Sequence, residues 1–176
     1  MRRRLVLAAA LAVAGRGGAA PAGAPETAGL VLRGAGRMRF FGLLIYDIRL
    51  WSAAPVSAER WAEQPFLLEI EYARHLDGRE IARRSLKEMR RQGPIGEAQA
   101  AAWLAEMEAA FPDVQAGDRI SGRYEPGTAA EFIVNGQPRR RIADATFAQR
   151  FFGIWLSPQT SEPALREQLL GGHGQG

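Results

Sequence analysis

The chain has 176 residues, 23 Lys and Arg against 19 Asp and Glu, two His and no Cys. The lack of cysteine excludes thiol catalysis, cysteine metal sites and disulfide staples, so the fold must rest on its core. A folded region of about 150 residues buries roughly two-thirds of its unfolded surface, enough for one domain.

The chain opens "MRRRLVLAAALAVAGRGGAAPAGAPE". An arginine triplet, an apolar run over Leu5–Ala14 and a trail of small residues describe a secretory signal peptide over residues 1–24. The apolar run falls well short of the ~20 residues that span a bilayer. Ala20, Ala22 and Ala24 are candidate ends, and "RRR" lacks the flanks of a twin-arginine signal. The expectation is an exported, periplasmic protein without a membrane-spanning segment once the leader is cut. Arg2, Arg3, Arg4 and Arg16 fall in the leader and no acid does, so the rest balances 19 basic against 19 acidic residues. Global charge then gives no argument for nucleic acid or an anionic membrane.

Residues 29–51 read as two strands around "GAGRMR". In "FFGLLIYDIRLW" (40–51), period two places Tyr46, Ile48 and Leu50 on one face and Asp47, Arg49 and Trp51 on the other. Both faces are apolar up to Ile45, which predicts a strand covered on both sides that emerges at Asp47. "AAPVSAERWAEQP" is a connection with a helical turn near Glu59–Glu63. "FLLEIEYARHL" (66–76) alternates again, with Glu69 and Glu71 on its wet side. "DGRE" predicts a capping box, Asp77 as N-cap and Glu80 three residues on. The helix runs to about Gln92, buries Ile81, Ser85 or Leu86, and Met89, and stops at Gly93-Pro94. A second helix, about Glu97–Phe111, buries Ala100, Trp103, Leu104, Met107 and Phe111. Residues 117–143 form a strand meander with turns at Pro126-Gly127 and Asn135-Gly136, and Pro138 marks an edge strand. A third helix opens at Asp144 and closes before Ser157-Pro158. A short last helix ends at Gly171, before a glycine-rich tail over 172–176. The fold class is α+β, a mostly antiparallel sheet with helices layered on one face, in a single domain over 25–171.

Few residues carry chemistry. Arg79, Arg83, Lys87, Arg90 and Arg91 form a basic helix face, which reads as solvated. No aromatics interleave it for base stacking. "PRRRIAD" reads as a charged edge. Asp47 and Arg49 read as a surface ion pair, and Tyr46, Tyr72, Tyr124, Thr128 and Thr146 as core or turn residues. Gly34 and Gly36 lack the lysine and helix of a phosphate loop. With His173 in the tail, His75 is the one histidine of the folded span, so a histidine-built metal site is excluded.

Several segments together resemble the chalcone isomerase-like family, in its exported bacterial branch. "LVLRGAGRMRFFGLLIYDIRLW" is similar to its opening hairpin and "YARHLDGREIARRSLKEM" to its strand-to-helix step. "FPDVQAGDRISGRYEPGTAAEFIVNGQP" and "FFGIWLSPQTSEPALREQLLG" resemble its meander and closing helices. The resemblance implies an open-faced sandwich with an apolar cleft between sheet and helices. In the plant enzymes an arginine, two threonines, a tyrosine and an asparagine serve ring closure. Those positions fall here near Ala28, at Phe41, Ile81 and Glu88, and near Ile154. Apolar replacements cannot stabilise a developing enolate, so no catalytic residue, cofactor or metal is expected. Phe41, Ile81 and Ile154 make the cleft greasier. Non-catalytic members of the family bind fatty acids through an arginine and a tyrosine. The resemblance therefore implies a small apolar carboxylate as ligand, held by Arg39, Arg74 or Arg84 with Tyr46 or Tyr72. Altered isomerase or lyase chemistry, and a protein-interaction module, are the alternative readings.

Overall fold

The computed structural model describes residues 24–171. The leader, Ala24 excepted, and the tail lie outside the described residues.

Six strands form one antiparallel sheet in chain order, β1 Val31–Phe40, β2 Leu43–Ser52, β3 Phe66–Tyr72, β4 Arg119–Glu125, β5 Ala129–Val134 and β6 Gln137–Ile142. Four helices complete the α+β fold, α1 Gly78–Met89, α2 Glu97–Ala110, α3 Ala145–Leu156 and α4 Pro163–Leu169. The order of strands and helices is the one expected.

Alternation decides which side of each strand is buried. Across β2 and β3, Tyr46 faces Tyr72, Ile48 faces Ile70 and Leu50 faces Leu68. The row continues through Ile120, Gly122 and Tyr124 of β4 into Ala130 and Phe132 of β5. The helices cover this row. α3 supplies Phe147, Phe151, Phe152 and Trp155, and Phe151 meets Phe132 edge-on at 5.0 Å between ring centres. Phe152 lies over Gly122, where a Cβ would press against its ring. α1 adds Ala82, Leu86 and Met89, and α2 adds Ala100, Trp103, Met107 and Ala110.

Local signals explain the element ends. The Asp77 carboxylate accepts from the Arg79 and Glu80 N–H groups at 2.8 and 3.2 Å, as an N-cap should. The other half of the capping box is replaced, because Glu80 pairs with Arg83 instead. Asp144 caps α3 through the Phe147 N–H at 2.9 Å, while its other oxygen accepts from the Trp103 indole at 2.9 Å, joining α2 to α3. Pro138 lies on β6, at the sheet edge, as predicted.

Four expectations are corrected. The turn between the first two strands falls at Phe41-Gly42, and "GAGRMR" lies wholly within β1. The apolar stretch Phe40–Ile45 is not covered on both sides, since Phe40, Phe41 and Leu43 are exposed. Asp47 and Arg49 pair with other strands, not with each other. Arg37 holds Asp47 at 2.9 Å, and Arg49 holds Glu69 and Glu71 at 2.9 and 3.1 Å. Glu69 also proves buried, at 4% exposure. The chain around Pro25–Thr27 crosses this face, with Ser121 donating to the buried Glu26 carboxylate at 3.1 Å.

β1 carries two glycines because α4 presses on it. A Cβ at Gly34 would collide with the Gln168 and Leu169 carbonyl oxygens, and one at Gly36 with Leu165 and Gln168. Glycine inside a strand marks such a close approach. Gly34→Ala is expected to displace α4 at a cost of about 1–3 kcal/mol, the usual range for overpacking. In thermal melts its midpoint should fall well below that of Gly96→Ala, where a Cβ meets no atom within 4 Å.

Candidate functional site

A candidate polar cluster lies at one end of the sheet–helix interface, around the Tyr46 and Tyr72 end of β2 and β3. Tyr46 and Tyr72 are directly opposed across β2 and β3, with ring centres 6.0 Å apart and edge-to-face. Tyr72 is buried and Tyr46 half-buried. Trp155 donates its indole N–H to the Tyr46 hydroxyl at 3.0 Å. Among the described residues neither phenol gives its own hydrogen to an acceptor.

Burial pushes the Tyr46 phenol up to about 12. The Trp155 hydrogen bond works against that shift, and the charges of Glu162, Arg84 and Glu88 add smaller effects. Burial, with the neighbouring Tyr46, raises Tyr72 as well. Desolvation disfavours a phenolate, so both groups are neutral O–H donors at ordinary pH. On α1, Arg84 pairs with Glu88 at 2.9 Å, and Arg91 stands 3.8 Å from the other Glu88 oxygen. That buried oxygen, Oε2, has no hydrogen-bond partner. Ile81 and Ile154 belong to the apolar packing between sheet and helices.

The charges of Arg84 and Glu88 reach the Tyr46 phenol, Tyr72 faces Tyr46, and Ile81 and Ile154 belong to the same apolar core. Arg39 and Phe41 stand apart from them. Arg39 donates to the Gly42 carbonyl at 3.1 Å in the β1–β2 turn, Phe41 is the exposed tip of that turn, and Arg74 is exposed beyond β3. Phe41 therefore lines no cleft. Trp155 and Glu162 were not singled out from the sequence. Trp155 stands four residues after Phe151 on the inward stripe, and a buried indole N–H needs an acceptor.

The other polar candidates are structural. Tyr124 donates to the Ala62 carbonyl at 2.8 Å, Thr128 stays within its own turn, and His75 Nδ1 sits 3.0 Å from the Val114 carbonyl and 2.9 Å from the Gln115 amide. The basic residues of α1 and of the Arg90–Gln92 turn that follows are exposed, with Arg83, Arg90 and Arg91 paired to acids. Two surface clefts lie away from the tyrosine pair. One, of about 280 Å³, is lined by Trp61, Gln92, Thr146, Arg150 and Gln159 among others. The second, of about 400 Å³, runs between α2 and β6 past Trp103, Glu106 and Arg140.

Comparisons with known proteins bear on the family and the fold. A model of the family described as chalcone isomerase-like matches residues 19–171. The chain belongs to that family. An uncharacterised protein of Haemophilus influenzae is 32% identical over 127 residues, which cover 72% of this chain and 61% of the relative. The match therefore spans about three-fifths of the relative's length. Among solved structures, the fatty-acid binding protein AtFAP1 of Arabidopsis thaliana superposes with a TM-score of 0.61 at 11% identity, over 84% of this chain and 94% of that one. At that identity the likeness is one of fold. Within the described residues no helix is long and apolar enough to cross a membrane.

The raised phenols carry a consequence for stability. Above pH 10, the ordinary tyrosine value, unfolded chains lose phenol protons that the folded protein keeps. Unfolding is then favoured, and stability falls as pH rises from about 10 towards 12. Tyr46→Phe should flatten that fall. At neutral pH it should cost about 1 kcal/mol, because the Trp155 N–H loses its acceptor. Thermal midpoints measured by circular dichroism across this pH range test both.

Proposed function

We propose that this chalcone isomerase-like protein binds a small amphiphilic ligand of fatty-acid type, without converting it, at the β2–β3 end of the sheet–helix interface. The observation that carries the reading is the pair of neutral phenols, Tyr46 and Tyr72, whose hydrogens have no acceptor, beside the Arg84–Glu88 pair. Two O–H donors and a guanidinium suit a carboxylate head. The apolar residues Ile81 and Ile154 suit the start of its tail. The fold shared with a plant fatty-acid binding protein supports the same reading at the level of architecture. Arg84 takes the anchoring part, since Arg39 lies in the β1–β2 turn and Arg74 is exposed beyond β3.

The proposal includes export to the periplasm, supported by the arginine triplet, the short apolar run and the small residues before Pro25. A second reading, an interaction module, draws on the dense filling between sheet and helices. Ile48, Leu50, Ala82, Met89, Phe147 and Phe152 there are all fully buried.

Native mass spectrometry of the full chain, purified without detergent, separates the two. A reproducible added mass that is lost on denaturation supports the binder. A bare mass that stays bare with fatty acids supports the module. Where binding is seen, Arg84→Ala is expected to weaken a fatty acid about tenfold, the value of one charged hydrogen bond. Glu88→Gln should tighten it, because Arg84 is then free of its internal carboxylate. Unchanged affinity in both variants removes this anchor.

A further inference from the structure

The chain contains two hairpin turns of the same geometry and opposite chemistry. Asn135-Gly136 joins β5 to β6 with φ values of 49° and 81°, and Phe41-Gly42 joins β1 to β2 with 47° and 79°. Positive φ at both central residues is the turn for which Asn-Gly is the favoured pair. At Asn135 the chain follows that rule. At Phe41 it places a bulky aromatic where φ > 0 is uncommon and strained, and leaves it 89% exposed. Both local conformation and water disfavour phenylalanine there. A residue that costs stability twice over points to a role outside the fold.

Its surroundings say what the role is. β3 pairs with β2 from Tyr46 onward, and beyond that only the Ala73 N–H reaches across, to the Ile45 carbonyl. Residues 39–44 therefore project past the sheet as a bare two-stranded tip. Phe40 at 52% exposure, Phe41 and Leu43 at 56% form its apolar end, with the two rings in contact at 4.5 Å. Arg39 lies on the tip itself, and Arg74 leaves the sheet beside Ile45. Neither guanidinium has a carboxylate within 4 Å among the described residues. Acids are absent from 39–44, and Asp47, the next one along β2, is neutralised by Arg37.

We propose that the β1–β2 tip is a docking element for an anionic lipid surface, with Phe40, Phe41 and Leu43 entering the interface and Arg39 and Arg74 meeting the headgroups. Aromatic and apolar side chains with flanking cations are what such a surface selects. A second copy of the chain fits less well, since a symmetric contact would bring the same arginines together. The inference is independent of any ligand held at Tyr46.

The native chain has no cysteine, so Phe41→Cys gives a single labelling site for an environment-sensitive fluorophore. Val31→Cys, 52% exposed at the far end of β1, gives a matched control. The full chain is mixed with vesicles of phosphatidylcholine alone and of phosphatidylcholine with phosphatidylglycerol. The probe at position 41 is expected to shift to the blue on the anionic vesicles, less so in high salt, while the probe at 31 stays in water. The unlabelled variant Phe41→Asn should melt no lower than the native chain and partition onto anionic vesicles about tenfold more weakly, the scale of one buried aromatic side chain. That pairing separates a lost interface from a lost fold. Vesicle binding with the probe at 41 still in water, or with both probes responding equally, overturns the proposal, as does an equal response on neutral vesicles. A blue shift that grows with protein concentration without vesicles assigns the tip to a second copy and also overturns it.

Discussion

The packing of α3 on the middle of the sheet is the contact on which the rest of the molecule depends. Phe152 reaches Phe66 and Tyr124 at 5.3 and 5.2 Å, and Phe151 reaches Phe132 and Phe111 at 5.0 and 5.8 Å. These are edge-to-face and tilted contacts, the arrangements that aromatic rings prefer, and each adds to the large area that the rings bury. Gly122 is part of the same contact, because only a missing side chain lets Phe152 lie so close to β4. With α3 seated there, Asp144 at its start reaches Trp103 of α2, and Trp155 near its end reaches Tyr46 of β2. One helix thus ties the other helices and both halves of the sheet together. It also bears on the polar cluster, since Trp155 of α3 donates to the Tyr46 hydroxyl.

The opposite face of the sheet follows different physics. Its side chains form cross-strand ion pairs, Arg37 with Asp47, Arg49 with Glu69 and Glu71, and Arg123 with Glu131. Exposed pairs of this kind contribute only about 0–1 kcal/mol each. Glu69 is the exception, because it is buried and held by both Arg49 and Arg119. Removing one partner of a buried carboxylate is costly, whereas forming the pair gains little. That face therefore specifies register more than it supplies stability. Leu67, Ser121 and Ile133 are buried on it as well, where the segment around Glu26 crosses.

The parts of this fold legible in the sequence are those written in local chemistry. Asp77 and Asp144 announce two helix starts, Gly93-Pro94 a stop, Asn135-Gly136 a hairpin, and the alternation in β2 and β3 the buried row. The β1–β2 turn was not legible, because Phe-Gly carries none of the usual turn preference and Gly34 and Gly36 looked like better candidates for a break. Their true cause, the pressure of α4, comes from a segment some 130 residues away in the chain. Glu69 failed for a related reason, since period two cannot show that a distant N-terminal segment will cover the wet side of a strand. At the candidate site, Tyr46, Tyr72 and Arg84 were among the residues that the family resemblance suggested. Trp155 could not, because its partner is set by how α3 lies across the sheet.

Burial at the tyrosine pair bears on what kind of chemistry the site can support. A general base must hold an ionised form near the operating pH, and desolvation moves both phenols the other way. The same desolvation makes each O–H a better directed donor, because an unpaired hydrogen in a dry place gains more from meeting an acceptor. Arg84 does not reverse this, since its charge is already matched by Glu88. What remains is a pair of donors and a guanidinium whose acid partner can be exchanged, set against apolar side chains at Ile81 and Ile154. Such a set would suit an acceptor-bearing headgroup, and the Glu88 carboxylate, not either phenol, is its one candidate proton acceptor. The burial that holds the phenols neutral therefore fits them to donate hydrogen bonds and not to take protons.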